Sequence, residues 1–186
     1  MMLMLATNWG YSIDVDKLPL LLTVDEFDSM GGSSMSSGYE AKQATLNGVS
    51  QAIRDYCGWH VAPKLTCKAV VPDSAHVILP SMGVTELTET VSTVEPRHAN
   101  SYGVIDMRRQ ALLEVTYVAG FDMVDALKQA AYQIAANHLV ATAGLREEHA
   151  GQVGATYNQT DNGVSGGVRL LASDKAMLAP YKLVGV

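Results

Sequence analysis

Residues 122–143, DMVDALKQAAYQIAANHLVATA, form the longest uninterrupted helical pattern in this sequence. Apolar residues recur along it at spacings of three and four, with alanines between them: Leu127, Ala131, Ile134 and Leu139. That period predicts one apolar stripe along an α-helix. Asp122 is the expected N-cap, because its carboxylate can accept backbone N–H bonds, and Gly144 is the expected end. The alanines make this helix narrow, so we expect it to be a scaffold against which other helices pack.

A second amphipathic helix is predicted from Ser37 or Gly38 to Gly58. Its apolar face is formed by residues at helical spacing: Ala41, Leu46, Val49, Ile53 and Tyr56 or Cys57. Gly58 can adopt the left-handed conformation that ends a helix. Gly48 inside this helix costs about 1 kcal/mol relative to alanine. Its presence therefore indicates a close contact, which we expect to be with the alanine-rich helix.

Two features are predicted before this second helix. Residues 1–22 have no clean period and contain a brief alternation typical of an arm or a short strand: Trp9, Tyr11, Ile13 and Val15. Thr23 followed by Glu26 resembles a capping box, in which each side chain accepts a bond from the other residue's backbone N–H. We therefore expect a flexible N-terminal arm, then a short helix that begins at Thr23 and ends near Met30.

Between the two long helices the pattern changes to short apolar or alternating runs: KLTCKAVV, HVILP, TELTETVSTV, YGVIDMRR and LLEVTYVAG. Proline, glycine, asparagine and aspartate separate these runs, as they separate the strands of an antiparallel sheet. In the third run, alternation places Leu87 on one face and Glu86 and Thr88 on the other. Such a strand has one face in water.

These patterns predict an α+β fold of a single domain, a helical bundle built on two principal helices with a small, mostly antiparallel sheet inserted between them. The ends are a flexible N-terminal arm and a C-terminal segment. The expected division is 1–22 arm, 23–62 helices, 63–120 sheet, 121–144 long helix, and 145–186 loop and C-terminal segment.

Composition excludes several classes of protein. The chain has 186 residues, 48% of them hydrophobic, which is enough for a core. Its formal net charge of -6 argues against binding to nucleic acid through phosphate neutralisation. Its 2 cysteines lack CxxC spacing, so neither a zinc ribbon nor a disulfide framework is indicated. The apolar start MMLMLA is too short for a membrane span and lacks the basic region of a signal peptide, so we expect a cytoplasmic protein.

One motif carries a catalytic name. Residues 163–167, GVSGG, fit the G-x-S-x-G nucleophile elbow, which needs a strand before the serine and a helix after it. The flanking NQTDNG and VRLL favour a loop instead, and no histidine follows Ser165. The histidines are scattered without metal-binding spacing: His60, His76, His98, His138 and His149. We expect them to be surface or satisfied packing histidines, and no catalytic constellation or cofactor is predicted.

Charged residues leave alternatives open. Arg108 and Arg109 end a predicted strand, where they would form an intersubunit salt bridge or a charged edge that discourages aggregation. Glu147 and Glu148 fit a solvated charge run better than a cation site. The polar stretch from Ala150 to Gly167 is too long for a simple turn, so we expect it to order against a partner.

Six phrases follow one another along the chain: TVDEF, AIRDYCGWHVAP, LPSMGV, YVAGFDMVDALKQAAYQIA, LREEHAGQVGATY and MLAPYKL. In order and spacing they resemble phrases of tailed-phage head-tail connector proteins, the adaptors that join the portal ring to the tail. The resemblance covers most of the chain from Thr23 onward. Two residues depart from the family pattern, since Val124 stands where many members have proline and Trp59 where a small or basic residue is usual.

The resemblance implies a non-enzymatic structural protein that forms a ring of about twelve copies in the virion neck. Its partners would be further copies of this chain, the portal protein and a tail-side completion protein, with no membrane involved. DNA would pass through the ring without sequence-specific binding, which an acidic surface suits. Assembly would take place in the host cytoplasm.

Contacts to neighbours or to the portal are expected from the 150–167 loop and the C-terminal segment. The candidate interface residues are Arg108, Arg109, Arg146, Glu147, Glu148, Tyr157, Asn158, Arg169, Tyr181 and Lys182. Three alternatives remain at this point. They are a tail-completion or tail-terminator subunit, a small serine hydrolase using Ser165, and a DNA-binding packaging accessory, which the charge disfavours.

Overall fold

A computed structural model describes residues 4–35, 37–72, 76–91, 101–106, 112–122, 125–142, 147–150, 153–156 and 168–183. In these described residues the fold is α+β, with four α-helices and a five-stranded antiparallel sheet. The chain divides into two compact units. The sheet unit comprises Met1–Pro19, Cys57–Val124 and Pro180–Val186, and the helix unit comprises Leu20–Tyr56 and Asp125–Ala179.

The sheet unit contains the strands β1 (Leu5–Ala6), β2 (Tyr11–Ile13), β3 (Leu65–Pro72), β4 (His76–Ile78), β5 (Glu86–Val91), β6 (Val104–Asp106) and β7 (Leu112–Ala119). Five of them form one sheet in the order β1-β2-β3-β7-β5, with every neighbour antiparallel. One face of β2, β3 and β7 is buried: Tyr11, Ile13, Cys67, Ala69, Val71, Leu113, Val115, Tyr117 and Ala119. These residues alternate with partly exposed ones, as the sequence predicted.

The N-terminal stretch belongs to this sheet. Tyr11 pairs with Ala69 and Ile13 pairs with Cys67, which buries both N-terminal side chains. The brief alternation in residues 1–22 therefore marks a short strand, and the prediction of a flexible arm is wrong over Leu5–Ile13. The physical reason is that the apolar side of β2 completes the buried face of β3 within the same chain.

The remaining strands of this unit follow the predicted runs. Leu87 of β5 lies opposite buried Tyr117, and exposed Glu86 lies opposite Val118, which confirms the alternation predicted for these two residues. A register shift interrupts β5 between Leu87 and Glu89. β4 and β6 pair only with each other in the described part of the chain, forming an antiparallel two-stranded ribbon.

The helix unit contains α1 (Val24–Ser29), α3 (Asp125–Thr142), α4 (Ala172–Leu178) and nearly all of α2 (Tyr39–Cys57). The predicted capping box is present at α1, because Thr23 Oγ1 accepts from Glu26 N–H and Glu26 Oε2 accepts from Thr23 N–H. α2 ends before Gly58, which has a φ of +79° as expected. The short helix α1 ends at Ser29, with Met30 as its C-cap.

The buried side of α2 differs from the prediction at its first turn. Ala41 is exposed and Lys42 is buried in its place. Lys42 Nζ donates to Asp28 Oδ1 at 2.7 Å and to the Gly32 carbonyl at 3.0 Å, so the ammonium group is satisfied there. The rest of the buried stripe is Leu46, Val49, Ser50, Ile53, Arg54 and Cys57.

The described part of α3 begins at Asp125, and the two residues before it lie outside the described residues, so the predicted N-cap at Asp122 stays a prediction. The Asp122 carboxylate accepts from Lys64 Nζ at 2.7 Å through its Oδ2 atom. The apolar stripe of α3 is confirmed: Leu127, Ala130, Ala131, Ile134, Ala135 and Leu139 are buried. The expected end, Gly144, lies outside the described residues.

α1 is bound to both long helices. Lys42 of α2 reaches Asp28, and on the other side Lys128 of α3 reaches Glu26 with an Nζ to Oε1 distance of 2.6 Å. The Phe27 ring, which is fully buried, packs on Tyr132 with 5.1 Å between ring centroids. The short helix therefore holds α2 and α3 in one unit.

The close contact predicted at Gly48 exists, but its partner is different. A Cβ atom at Gly48 would lie 3.0 Å from Cγ2 of Val168, in the segment just before α4. The predicted approach of α3 to Gly48 is therefore wrong. At its other end, α2 contacts α4, because the Tyr56 hydroxyl donates to the Lys175 carbonyl at 3.2 Å.

Candidate interaction surfaces

His60 belongs to the sheet unit and is fully buried. Its Nε2 is 3.0 Å from the carbonyl oxygen of Ala119, which can only accept, so Nε2 carries the proton. Its Nδ1 then accepts from the Tyr11 hydroxyl at 2.9 Å, and the Tyr11 oxygen in turn accepts from the His60 backbone N–H at 3.0 Å. The structure confirms the prediction of a satisfied packing histidine here.

Changing Tyr11 to phenylalanine tests this network. We expect the free energy of unfolding to fall by about 1–3 kcal/mol, because the buried Nδ1 and N–H of His60 lose their shared partner. Urea denaturation of the two proteins measures the difference. Tyr39→Phe is the matched control, since Tyr39 is 65% exposed and should be neutral. Equal effects at both positions would show that the buried hydroxyl contributes nothing.

Three loops of the sheet unit meet around His60, and we call residues 57–63, 79–84 and 117–121 the turn junction. Phe121 N–H donates to the Val61 carbonyl at 2.8 Å, and Gly120 N–H donates to the Met82 carbonyl at 3.2 Å. The Ser81 hydroxyl donates to the Tyr117 hydroxyl at 3.1 Å. Backbone and side-chain bonds therefore join all three loops.

Glycines make this close approach possible. A Cβ atom at Gly120 would lie 2.5 Å from the Pro63 carbonyl oxygen, and one at Gly83 would lie 2.7 Å from the Gly120 carbonyl oxygen. Both glycines also have positive φ, at +117° and +64° respectively. Larger residues would force the loops apart, so the junction depends on glycine at these two positions.

The C-terminal segment binds to the same junction. Trp59 Nε1–H donates to the Tyr181 carbonyl at 2.6 Å, and Leu183 N–H donates to the Cys57 carbonyl at 3.0 Å. The Phe121 ring contacts both Trp59 and Tyr181, with centroid distances of 5.5 and 5.7 Å. Residues 181–183 are thus fixed within their own chain.

Five of the predicted interface residues lie in the described part of the chain, and they belong to different segments of it. Tyr181 is half-buried in the aromatic cluster, whereas Lys182 and Arg169 are exposed. Glu147 and Glu148 lie in β8 (Glu147–Ala150), which pairs with β9 (Val153–Thr156). The stretch predicted as a loop therefore contains a strand pair. The other candidates lie outside the described residues, as does Ser165: Arg108, Arg109, Arg146, Tyr157 and Asn158.

Burial and hydrogen bonding shift the pKa of several titratable groups in the described residues. Burial raises the pKa of the Cys57 and Cys67 thiols to about 12, so both are poor nucleophiles at neutral pH. The pKa of Glu26 is lowered, chiefly by its hydrogen bond from Lys128.

Within the ranges that the structure describes, no group of three or more His, Cys, Asp or Glu side chains could hold a metal ion. None of the described helices is long and apolar enough to cross a membrane.

Exposed apolar side chains are the feature that sequence reasoning missed. Four large ones are 60% or more exposed: Tyr39 65%, Val70 60%, Ile78 62% and Tyr102 72%. Two of them, Ile78 and Tyr102, lie on the β4–β6 ribbon and the turn before β6. The available signal was the run HVILP, which is apolar at successive positions where a surface strand would alternate.

Neither the protein-family models nor the curated proteins include a match to this sequence.

Proposed function

We propose that this protein is a structural head-tail connector of a tailed bacteriophage. In this proposal about twelve copies form a ring beneath the portal in the virion neck. DNA passes through the ring without sequence-specific binding. The protein acts without a cofactor or catalysis, and it assembles in the host cytoplasm with the portal and a tail-side completion protein.

The observation that carries the proposal is the turn junction. Three of the phrases that resemble connector proteins are far apart in the sequence. They are AIRDYCGWHVAP, LPSMGV, and YVAGF, which begins the phrase YVAGFDMVDALKQAAYQIA. In the structure they supply the three loops that meet around His60, joined by the Gly120 N–H to Met82 bond and the Phe121 N–H to Val61 bond. A fourth phrase, MLAPYKL, supplies the Tyr181 carbonyl that Trp59 binds. The phrases thus behave as parts of one structural unit, as features of a common fold would.

The finer architecture belongs to this proposal. The two principal helices, α2 and α3, form a helical bundle held by α1 through Lys42 and Lys128. The sheet, which lies between them in the sequence, meets neighbouring copies. The charge of -6 supports passage of DNA, because an acidic lining does not retain the phosphate backbone. Exposed Arg169 and Lys182, with the candidate residues outside the described part, remain predicted contacts to neighbouring copies or to the portal.

Antibody labelling of phage particles tests the location. Particles incubated with a gold-labelled antibody against this chain should carry label at the head-tail junction in negative-stain electron micrographs. Particles without label at that junction, although the chain is detected in infected cells, would exclude the proposal. Label along the tail or at its far end would instead indicate another tail component.

The serine hydrolase alternative has a separate test. A serine-directed fluorophosphonate probe should leave the native protein unlabelled, since the proposal assigns no catalytic role to Ser165. Labelling that disappears in Ser165→Ala would contradict the non-enzymatic proposal. A known serine hydrolase in the same reaction shows that the probe is active.

A further inference from the structure

Val61 lies in a strained turn of the turn junction, formed by residues 60–62. Its φ is +64°, and it is the only residue other than glycine with a positive φ in the described part of the chain. Ala62 N–H donates to the His60 carbonyl at 2.8 Å, which closes a three-residue turn around Val61. A γ-turn with a positive central φ is the rarer and more strained of the two types. Valine increases the strain, because its branched side chain crowds the backbone in this conformation.

The surroundings impose this conformation on Val61. Its side chain is fully buried, and its carbonyl accepts from Phe121 N–H at 2.8 Å. On one side of the turn, both ring nitrogens of His60 are hydrogen-bonded. On the other side, the Pro63 carbonyl oxygen lies only 2.5 Å from the position of a Cβ atom at Gly120. Strained residues persist only where the surroundings determine their conformation, and they occur often at ligand clamps and switch regions.

The C-terminal segment contacts the residues that hold the strained turn. The Cys57 carbonyl accepts from Leu183 N–H at 3.0 Å, and Trp59 Nε1–H donates to the Tyr181 carbonyl at 2.6 Å. Cys57 and Trp59 lie just before the turn in the chain. The Tyr181 ring also packs on Phe121, with 5.7 Å between ring centroids. Phe121 is the residue whose N–H binds the turn's central carbonyl, so the segment supports the turn from two directions.

From these observations we propose that the C-terminal segment is a latch that keeps the strained turn closed. While the segment is bound, its contacts to the junction outweigh the strain at Val61. When the segment leaves, Val61 relaxes to a negative φ and its carbonyl separates from Phe121 N–H. The Trp59 indole then loses its acceptor and becomes accessible together with the Phe121 ring. Release of the segment and opening of the junction are thus coupled in free energy.

This coupling is a property of the single folded chain and goes beyond the connector role. It requires neither a ring nor a portal, because the turn, its supports and the segment all belong to the sheet unit. A molecule that captured the C-terminal segment would open the junction, and a molecule that bound the open junction would release the segment, by the same factor.

Hydrogen exchange of the Phe121 amide, followed by NMR, tests the latch in the full-length chain. The release variant, Tyr181→Ala with Leu183→Pro, removes the ring contact and one N–H donor of the segment. We expect Phe121 N–H to exchange about tenfold or more faster in the release variant than in the wild type. The amide of Asp14, which donates to the Thr66 carbonyl outside the turn junction, is the internal control and should exchange at an unchanged rate.

Two substitutions at Val61 separate strain from packing. Glycine adopts a positive φ freely, whereas alanine retains strain there, although both remove most of the buried side chain. Adding the release substitutions to Val61→Ala should again accelerate exchange at Phe121 about tenfold, because the strain that opens the turn remains. Adding them to Val61→Gly should accelerate it about twofold or less, because the turn no longer gains by opening.

The latch is overturned if Phe121 N–H does not exchange faster in the release variant, or if the Val61→Gly and Val61→Ala backgrounds show the same acceleration. Equal acceleration at Phe121 and Asp14 would also overturn it, because general loosening of the sheet unit would then explain the result. Circular dichroism shows whether each variant is folded. Where the release substitutions unfold a background, Leu183→Pro alone gives the same comparison, with an expected acceleration of about threefold.

Discussion

Replacing Trp59 with alanine is expected to lower the free energy of unfolding by about 4 kcal/mol. The indole is fully buried and packs edge-on against His60 and Phe121, with centroid distances of 5.3 and 5.5 Å. Its removal leaves a large cavity in the turn junction and deprives the Tyr181 carbonyl of its donor. Urea denaturation, followed by circular dichroism, measures the change.

Trp59→Phe separates the packing from the hydrogen bond. Phenylalanine keeps much of the buried apolar area but has no donor for the Tyr181 carbonyl, so we expect a loss of about 1–2 kcal/mol. A loss below about 1 kcal/mol for Trp59→Ala would mean that the junction collapses around the missing ring. The close packing of the turn junction around Trp59 would then contribute little to stability.

Gly120→Ala is expected to destabilise the protein by about 3 kcal/mol or more. Gly120 has a φ of +117°, and a Cβ atom there would lie 2.5 Å from the Pro63 carbonyl oxygen and 2.9 Å from His60 Nε2. The first of these neighbours is backbone and cannot rotate away. Relief of the clash requires the loops of the turn junction to separate, which also strains the His60 to Ala119 bond.

Gly10→Ala is the control for the backbone conformation alone. Gly10 has a φ of +84°, but a Cβ atom there would meet nothing within 4 Å. The expected cost is therefore only the strain of a left-handed alanine, about 1–2 kcal/mol. Thermal melting of both variants gives the comparison, and equal melting temperatures would show that the contacts around Gly120 can yield freely.

The features predicted well from the sequence are those fixed by residues close together in the chain. The capping box of Thr23 and Glu26 spans one helical turn, and Gly58 ends α2 through its own backbone freedom. The runs that became β3 and β7 alternate within a few residues. In each case the local chemistry and the tertiary structure favour the same conformation.

The errors occur where a distant residue determines the outcome. The Asp122 carboxylate accepts a hydrogen bond from Lys64, 58 positions earlier, a partner that the local sequence does not indicate. Lys42 is buried because Asp28 and Gly32 satisfy its charge, which no helical pattern in α2 reveals. Gly48 indicated a close contact correctly, yet nothing near it in the sequence identifies Val168 as the neighbour.

The same limit applies to the candidate surfaces. A satisfied packing histidine was one of the two outcomes expected for His60. Its partners could not be predicted, because Tyr11 and Ala119 lie 49 and 59 positions away. Ile78 could have been noticed in the unbroken apolar run HVILP. Tyr102 could not, because the pairing of β6 with β4 and the bond from Leu79 N–H to the Gly103 carbonyl, both between distant residues, place it next to the ribbon.

Binding to portal rings is the most direct test of the connector role. Purified wild-type protein is mixed separately with portal rings and with tail tubes of the same phage, sedimented, and the pellets are viewed by electron microscopy. The connector proposal predicts a ring of this protein stacked on the portal with the portal's symmetry, and no binding to tail tubes alone. Binding to tail tubes without binding to portal rings, by a correctly folded protein, would contradict it and indicate a tail-completion or tail-terminator subunit.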